Sequence, residues 1–389
     1  MIIEELTSIT ICLVMIVKNE SKIITRLLNS TKDIIDSAMI VDTGSTDNTV
    51  SIIEQWLEDN NIEGRVVSKP WKNFGFNRSE SYQLAREAYP DVTYYLTLDA
   101  DFILKLDITK DELHNQLRTK ARCYSILQDN KYMQYYNIRF LSSGYQWKCV
   151  GPTHEYWDTD PSSHSVTRLE GIKIDDINDG GSKSDKSVRD VRLLTEALDD
   201  PETDDTPGLR SRYLYYLARS KHDLGMFNEA LSYFKMSADL TESPEEKYYS
   251  NYMIGCCLQN VGKYDEAIVQ HLNAYSLRPS RFESLMSACA LLRQKGQYIV
   301  VHSLLKQALM SQPPTYDILF VDTSLREYKA LMEMSFVAYR CGMYKDGYEA
   351  NLRLLSNRDL SEQVHATARG DIKFYEDALK IPESLRYNK

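Results

Sequence analysis

The segment LTLDADF at residues 96–102 places two carboxylates, Asp99 and Asp101, directly after a short apolar run. Residues 94–98 are largely apolar and β-prone, which predicts a buried strand. Because strand side chains alternate between faces, an extended chain through Asp101 would project both carboxylates to the same side. Two like charges this close repel unless a cation lies between them, so the pair is a candidate metal site. A solvated strand end is the alternative, since Asp is also a common turn residue.

A second acidic segment, VDTGSTDNT at residues 41–49, also follows a predicted strand. Its Asp42 is a candidate acceptor for a ring N–H of a ligand, and Gly44 would let a ligand approach the backbone closely. Ser45 or Asp47 is expected to cap the helix that follows, because these residue types are preferred at helix N-termini. Capping would account for Asp47 and would leave Asp42 available to a ligand.

Two further segments give weaker signals. VKNES at residues 17–21 follows the first predicted strand, and either a helix cap or a ligand contact would explain it. WKNFGFNRSES at residues 71–81 leads into a helix predicted at 78–88. A helix N-terminus attracts anions, so Asn77 and Arg78 could point at one. A solvated surface arginine is the alternative for Arg78.

The segment WKCVGPTHEYW at residues 147–157 combines aromatic residues with adjacent His154 and Glu155. A neutral histidine is a good third ligand for a divalent cation held by carboxylates. A glutamate beside it could accept a proton from an attacking hydroxyl. The alternative for His154 is a structural role, and Trp147 and Tyr156 would either join the core or form a platform for a sugar ring.

Composition limits the classes of protein to which this chain can belong. Its 389 residues carry a net charge of −10 with a pI near 5.3, which argues against nucleic-acid binding as the main activity. No apolar run reaches the ~18–20 residues of a membrane span, and residues 9–17 are interpreted as a first strand and not as a signal segment. The seven cysteines lack metal-ligand pairing, so reduced thiols in the cytoplasm, or at the cytosolic face of a membrane, are expected.

The elements that must position these residues fall into two predicted domains, residues 1–190 and 191–389. Strands and helices alternate over residues 8–105, which predicts a mainly parallel sheet with its ligands beyond the carboxyl ends of the strands. The acidic segments lie at such strand ends. Residues 120–178 have a more antiparallel pattern, and DGGSKSDKS at 179–187 is a candidate linker or lid.

The carboxyl-terminal domain has a pattern of paired helices. A Gly-x-aromatic signature recurs at residues 225–227, 262–264, 296–298 and 342–344, with spacings of 37, 34 and 46 residues. These spacings are close to the ~34 residues of tetratricopeptide helix pairs. One such signature alone would indicate an ordinary helix C-cap. Four in register predict an all-α repeat domain, in which the first two units match best.

Five segments in this order resemble the family 2 glycosyltransferases of the GT-A fold. They are ICLVMIVKNE, IVDTGSTDNT, FNRSESYQLAR, YYLTLDAD and THEYW. The resemblance is to members that carry tetratricopeptide repeats after the catalytic domain. It covers residues 1–190 for an α/β GT-A domain and about 205–355 for the repeats.

The resemblance implies roles for individual residues. The donor-binding residues would be Val17, Glu20, Asp42, Gly44, Arg78, Asp99, Ala100 and Lys183, with Lys183 on a lid. A Mn²⁺ or Mg²⁺ ion would join the donor diphosphate to a ligand set drawn from Asp101, His154 and Asp99. The base would be Glu155, and the acceptor would contact Trp147 and Tyr156.

The implied reaction is an inverting transfer of a hexosyl or N-acetylhexosaminyl group from a nucleotide-diphosphate sugar, with UDP-sugars favoured. The acceptor would be a protein, a peptide or a glycan. A bound cation would stabilise the charge on the leaving nucleoside diphosphate. The repeats would hold the acceptor or join two copies in a homodimer.

Two other functions stay open at this point. A phosphatase of the haloacid dehalogenase type also carries an Asp-x-Asp pair after an apolar strand, with Asp99 as nucleophile and Asp101 as acid and base. In that class the pair follows the first strand, whereas several strand–helix units precede it here. A tetratricopeptide scaffold with an inactive transferase domain would instead bind a peptide on its repeats.

Overall fold

The computed structural model describes residues 8–130, 134–160, 166–181, 185–201, 203, 206, 208–314, 317 and 319–387. The chain divides into two compact units, Met1–Ala197 and Leu198–Lys389. The first unit is a mixed α/β domain and the second is helical, which confirms the predicted fold class. None of the helices in the described part of the chain is long and apolar enough to cross a membrane.

The first unit is built on an eight-stranded sheet. The described strands of this unit, eight in the sheet and two in a separate hairpin, are β1 (Ile11–Val17), β2 (Ser37–Asp42), β3 (Glu63–Ser68), β4 (Tyr94–Thr97), β5 (Phe102–Leu106), β6 (Cys123–Asp129), β7 (Gln134–Ser142), β8 (Trp147–Val150), β9 (Tyr156–Thr159) and β10 (Val166–Asp176). The sheet order is β3-β2-β1-β4-β7-β6-β10-β5, and β8 and β9 form a separate hairpin. β1 to β4 are parallel, β7 is antiparallel to β4 and β6, and β5 is antiparallel to β10. The predicted change from parallel to antiparallel pairing is confirmed for β7 and for β5 with β10, whereas β10 pairs with β6 in parallel.

Both faces of the sheet are buried along β1, β2 and β4, as βαβ connections require. The helices of this unit are α1 (Ile24–Thr31), α2 (Thr49–Asp59), α3 (Phe74–Ala88), α4 (Lys110–Leu117) and α5 (Lys186–Leu198). Along β1, Ile11, Leu13 and Met15 join one apolar cluster, whereas Cys12 and Val14 join the cluster on the other face. β1 is therefore packed on both faces, which fixes the position of the VKNES segment at its carboxyl end.

The second unit consists of helix hairpins. Its described helices are α6 (Leu209–Asp223), α7 (Phe227–Leu240), α8 (Pro244–Asn260), α9 (Tyr264–Leu277), α10 (Glu283–Gln294), α11 (Tyr298–Ala308), α12 (Ala330–Arg340), α13 (Tyr344–Ser356) and α14 (Glu362–Ala378). In each Gly-x-aromatic signature the aromatic residue is the first residue of the second helix of a pair. The four glycines have φ between 70° and 80°, where a side chain would be strained. All four predicted units are therefore tetratricopeptide-like hairpins, including the two that match less well.

Candidate active site

A cavity of about 560 Å³ lies in the first unit beyond the carboxyl ends of β1 and β4, where parallel sheets bind ligands. This volume is typical of a small-molecule site. Eight of the predicted site residues line it: Val17, Glu20, Arg78, Asp99, Ala100, Asp101, His154 and Glu155. The fold therefore brings them together from four separate segments.

Asp99 and Asp101 lie in a turn and not in a strand. β4 ends at Thr97, and the Phe102 amide donates to the Asp99 carbonyl oxygen at 3.2 Å. The condition of extended backbone through Asp101 is therefore not met, and strand alternation does not orient the two carboxylates. Both residues nevertheless line the cavity.

Arg78 joins two acidic residues of the cavity. Its Nη2 donates to Asp99 Oδ1 at 2.6 Å, and its Nε donates to Glu155 Oε1 at 2.7 Å. The side chain is only 11% exposed, so the alternative of a solvated surface arginine is wrong. Burial lowers the pKa of Arg78, but the two carboxylates outweigh burial and raise the pKa above its ordinary value. A permanently charged guanidinium therefore lies between Asp99 and Glu155 and holds their carboxylates close to each other.

The N-terminus of α3 is not an open anion site. The helix begins at Phe74, four residues earlier than predicted, and the Asn73 side chain accepts a hydrogen bond from the Phe76 amide. The amides of Phe74 and Gly75 donate to carbonyl oxygens of residues 152 and 151, both at 3.0 Å. The buried Asn77 side chain donates to a backbone carbonyl of the preceding loop. The prediction that Asn77 and the helix end face an anion is therefore wrong.

Gly75→Ala is expected to destabilise the first unit and to shift the segment that carries His154 and Glu155. A Cβ at Gly75 would lie 2.2 Å from the Gly151 carbonyl oxygen and 2.8 Å from that of Cys149. Both are backbone atoms, so neither can rotate away. We expect the free energy of unfolding to fall by about 1–3 kcal/mol, as at other overpacked positions. Urea denaturation followed by circular dichroism would measure it.

Gly370→Ala is the matched control for this substitution. Gly370 lies in α14, and no atom lies within 4 Å of the Cβ that alanine would add. Because alanine is the better helix former, this variant is expected to gain up to ~1 kcal/mol. Equal effects of the two substitutions would contradict the close approach at Gly75.

His154 contacts a buried carboxylate that the sequence reasoning missed. Its Nε2 lies 3.5 Å from Oδ2 of Asp190, whose side chain is 1% exposed, and Thr153 Oγ1 donates to Asp190 Oδ1 at 3.0 Å. Burial raises the pKa of Asp190, but His154 and Arg189 outweigh burial and lower it. A carboxylate behind a histidine commonly orients the ring of a metal ligand. In the sequence, the feature that indicates a buried role for Asp190 is its place on the apolar face of α5, beside Leu193 and Leu194.

Asp42 stabilises the turn after β2 through side-chain hydrogen bonds. The side chain is buried, and it accepts hydrogen bonds from the Gly44 and Ser45 amides, both at 3.1 Å. These bonds use part of the acceptor capacity of the carboxylate, and a contact between Asp42 and a ring N–H of the donor stays a prediction. Among the residues of this turn, Thr43 lines the cavity, whereas Asp42 and Gly44 do not.

The VKNES segment ties the loops after β1 and β2 together. Asn19 Oδ1 accepts a hydrogen bond from the Thr46 amide at 2.7 Å. Asp47 accepts hydrogen bonds from the Ser21 amide at 3.2 Å and from the Thr49 amide, at the start of α2, at 3.0 Å. Desolvation raises the pKa of Asp47, but these hydrogen bonds lower it to about 2. Asp47 thus contacts the first amide of α2, but the N-cap residue is Asn48, which makes no side-chain cap hydrogen bond, so the prediction that Ser45 or Asp47 caps the helix is wrong.

The aromatic residues of the WKCVGPTHEYW segment lie away from the cavity lining. Trp147 and Trp157 are buried against Tyr82, and Trp147 Nε1 donates to the Ser142 carbonyl oxygen at 3.0 Å. This packing is the core role that was the alternative for Trp147. Tyr156 is 37% exposed and is not among the lining residues. Lys183 lies outside the described residues.

Arg139 on β7 is a lining residue that the sequence reasoning missed. Its side chain is buried, its Nη2 donates to Gln128 Oε1 at 2.9 Å, and its Nη1 lies 3.8 Å from Asp99 Oδ2. The guanidinium also stands 4.8 Å from the centroid of the Phe102 ring. Burial lowers the pKa of Arg139, although Asp99 opposes this. In the sequence, the feature that indicates a buried arginine here is its position inside the β-rich run NIRFL.

The segment after β10 packs against the acidic residues of the cavity. The Gly181 amide donates to the Glu20 carboxylate at 3.1 Å. A Cβ at Gly180 would lie 3.3 Å from Asp101 Oδ2. The two glycines therefore let the backbone form a wall of the cavity, at the start of the predicted linker or lid.

Among the described residues, no group of three His, Cys, Asp or Glu side chains could hold a metal ion. Asp99 pairs with Arg78, and His154 contacts Asp190. The predicted ligand set of Asp99, Asp101 and His154 is therefore not a preformed cage. Mg²⁺ is usually held by one or two carboxylates together with substrate phosphates. Asp101 and His154 both line the cavity, so a cation there would need oxygens of the donor as further ligands.

Residues 12–151 match the family model described as Glycosyl transferase family 2. The first unit therefore contains a domain of this family, which favours the transferase over the phosphatase alternative. An "uncharacterized glycosyltransferase" of Rickettsia felis is 35% identical over 112 residues, which are 27% of this chain and 35% of that protein. One of Rickettsia bellii is 29% identical over 137 residues, which are 35% of this chain and 40% of that protein. The chain thus spans less than half the length of these relatives.

Two solved structures are also similar to part of the chain. MamA from Desulfovibrio magneticus RS-1 is 18% identical and covers 44% of this chain and 91% of its own, with a TM-score of 0.31. YrrB, a TPR protein, is 13% identical and covers 50% of this chain and 87% of its own, with a TM-score of 0.36. The helix hairpins themselves, and not these similarities, identify the second unit as tetratricopeptide-like.

Proposed function

We propose that the chain is a metal-dependent, inverting glycosyltransferase that uses a nucleotide-diphosphate sugar, with UDP-sugars favoured. It would move a hexosyl or N-acetylhexosaminyl group to a protein, peptide or glycan acceptor. The observation that carries the proposal is the turn of Asp99 and Asp101 at the carboxyl end of β4, inside a family 2 domain and facing a cavity. An anionic donor would meet five cationic residues there: Lys18, Arg78, Arg139, Lys186 and Arg189.

Asp101 and His154 would hold Mn²⁺ or Mg²⁺ together with the donor diphosphate. When bound, the cation would supply charge stabilisation to the leaving nucleoside diphosphate. Asp190 would orient His154, and Asp99 would face the ribose or the sugar. Lys183 stays a proposed donor contact from the lid.

Glu155 is the proposed base that takes the proton of the acceptor. Glu155 and Asp99 both accept hydrogen bonds from Arg78, so one guanidinium links the proposed base to the residue proposed to face the ribose or the sugar. The repeat unit would hold the acceptor or join two copies. We propose the cytoplasm as the location, which is supported by seven free cysteine thiols, five of them buried.

A thermal-shift screen of nucleotide sugars with and without Mn²⁺ tests this proposal. A donor that binds the folded state raises stability by about 2.7 kcal/mol at a concentration of 100 Kd. We expect a UDP-sugar with Mn²⁺ to raise Tm by several degrees, and Mn²⁺ alone to have a much smaller effect, because the described residues offer no complete metal cage. A shift that is the same with and without Mn²⁺ would argue against metal dependence. No shift with any nucleotide sugar would overturn the proposal.

A further inference from the structure

Arg139 lies at a break in the pairing of β6 with β7. The register of the two strands shifts by one residue between Tyr124 and Ser125 of β6, and Arg139 is the residue of β7 without a partner there. It is therefore the extra residue of a β-bulge, a feature that often redirects a side chain beside an active site. Thr97 Oγ1 donates to the Arg139 carbonyl oxygen at 3.3 Å. The bulge thus lies beside the last residue of β4, two residues before Asp99.

Three side chains fix the position of the Arg139 guanidinium. Its Nη2 donates to Gln128 Oε1 at 2.9 Å, and Gln128 Nε2 donates in turn to Asp176 Oδ2 at 3.1 Å. The Phe102 ring centroid lies 4.8 Å from the guanidinium carbon. Because the guanidinium is already held in this way, little side-chain freedom is lost when it binds a ligand.

The second amino group of Arg139, Nη1, stands opposite a carboxylate without a hydrogen bond to it. It lies 3.8 Å from Asp99 Oδ2, which is too far for a hydrogen bond, and none of the described residues accepts one from it. Both side chains line the cavity. A hydroxyl group placed between them would accept from Nη1 and donate to Oδ2, because a hydroxyl is both a donor and an acceptor. A carboxylate in the same place would be repelled by Asp99.

Tyr135 adds a second polar group on β7. It is directly opposite Gln128 in the β6–β7 pair, so the two side chains share one face of the sheet, and both line the cavity. The Tyr135 hydroxyl makes no hydrogen bond to any described residue. Burial raises the pKa of Tyr135, although the nearby charge of Arg139 opposes this. The hydroxyl therefore stays protonated and can donate to a ligand at neutral pH.

The proposed base locates this group relative to the reacting sugar. Arg78 donates to Glu155 and to Asp99 Oδ1, so a sugar that reacts beside Glu155 would lie close to Asp99. Arg139 approaches Oδ2, the other oxygen of that carboxylate. In the sheet, β7 is on the opposite side of β4 from β1, at whose end other donor contacts are proposed. Arg139 and Tyr135 would therefore meet the sugar and not the rest of the donor.

We propose that Arg139 is a specificity-determining residue that binds one free hydroxyl group of the transferred sugar, which donates in turn to Asp99, and that Tyr135 is a second sugar contact. The inference rests on the proposed function and names the feature of the sugar that the site selects. A donor without this hydroxyl leaves a guanidinium and a carboxylate apart in the cavity. Sites built to bond a substrate hydroxyl reject the analogue that lacks it much more strongly than apolar pockets do.

Isothermal titration calorimetry with the full chain and Mn²⁺ tests this inference. The probes are UDP, the tightest binder among UDP-glucose, UDP-galactose and UDP-N-acetylglucosamine, and analogues of that donor that each lack one hydroxyl. We expect one analogue to bind the unmodified chain about 10-fold more weakly than the complete donor, as for the loss of a hydrogen bond to a charged group. Arg139→Met should bind the complete donor and this analogue equally, and it should bind UDP as the unmodified chain does. Such a loss of the difference couples one side chain to one hydroxyl.

Arg168→Met is the matched control. Arg168 on β10 also stands over an aromatic ring, 4.3 Å from the centroid of Tyr136, but it does not line the cavity. This variant should leave every affinity unchanged. Arg139→Lys is the second variant in case Arg139→Met does not fold. An ammonium lacks the planar fork of the guanidinium, so we expect the difference between donor and analogue to fall to about 3-fold.

Three results would overturn the inference while UDP still binds, and the proposed function would then stand. The first is equal affinity of the unmodified chain for the donor and for every analogue. The second is a difference that persists in both Arg139 variants. The third is a loss of UDP affinity in Arg139→Met as large as the loss of donor affinity, which would place Arg139 at the nucleoside diphosphate. If neither UDP nor any UDP-sugar binds the unmodified chain, the proposed function fails and this inference fails with it.

Discussion

Arg78→Met is expected to lower the free energy of unfolding of the first unit by about 3–5 kcal/mol. The guanidinium donates to Asp99 and Glu155 at 2.6 and 2.7 Å, and all three side chains are largely buried. Methionine fills similar space but leaves two carboxylates together without their shared counter-charge. Urea denaturation, with the transition followed by circular dichroism, would measure the loss.

Arg192→Met is the matched control for Arg78→Met. Arg192 is more than half exposed and pairs with Glu196 on the surface of α5, so its loss should cost less than about 1 kcal/mol. Adding Glu155→Gln to Arg78→Met should regain part of the stability, because it removes one of the two carboxylates that lose the Arg78 counter-charge. If Arg78→Met and Arg192→Met were equally stable, the ion-pair account of the cavity would be wrong.

Asp101→Asn is expected to slow donor hydrolysis and sugar transfer by about 10²–10³-fold while leaving the fold intact. Asparagine has nearly the same size, but it lacks the charge that would hold a cation against the donor diphosphate. Because the loss acts through metal affinity, raising Mn²⁺ should recover part of the rate. A scaffold with an inactive transferase domain would show no such dependence on Asp101.

Asp107→Asn is the matched control for Asp101→Asn. Asp107 directly follows β5, is exposed and is not among the residues that line the cavity. The same change of charge outside the cavity should leave the rate within about twofold of the unmodified chain. Equal losses in the two variants would mean that net charge, and not the Asp101 position, determines the rate.

The parts of the fold that could be predicted from the sequence are those set by local patterns. β1 and β2 follow from short β-prone runs, and the hairpin turns follow from glycines that adopt a left-handed backbone. The same local reasoning predicted a cap at Ser45 or Asp47, close to the actual N-cap Asn48, and Asp47 accepts a hydrogen bond from the Thr49 amide. It also placed Asp99 and Asp101 at a strand end, because that inference needs only the strand and the residues that follow it.

The parts that could not be predicted depend on contacts between distant segments. The predicted start of α3 lies four residues too late, because its first turn is fixed by the close approach of Gly75 to Gly151, a contact between distant segments. Arg139 faces the cavity because β7 pairs with β4 and β6, and no local pattern indicates that pairing. Asp190 reaches His154 only when α5 packs back onto the domain.

The most direct test of the proposed function is the release of nucleoside diphosphate from a panel of nucleotide sugars, measured with and without Mn²⁺. The account predicts slow release from one donor by the unmodified chain, a strong dependence on Mn²⁺, and a loss of about 10²–10³-fold in Asp101→Asn. Release that does not change when Asp101 is replaced, or no release from any nucleotide sugar, would contradict it.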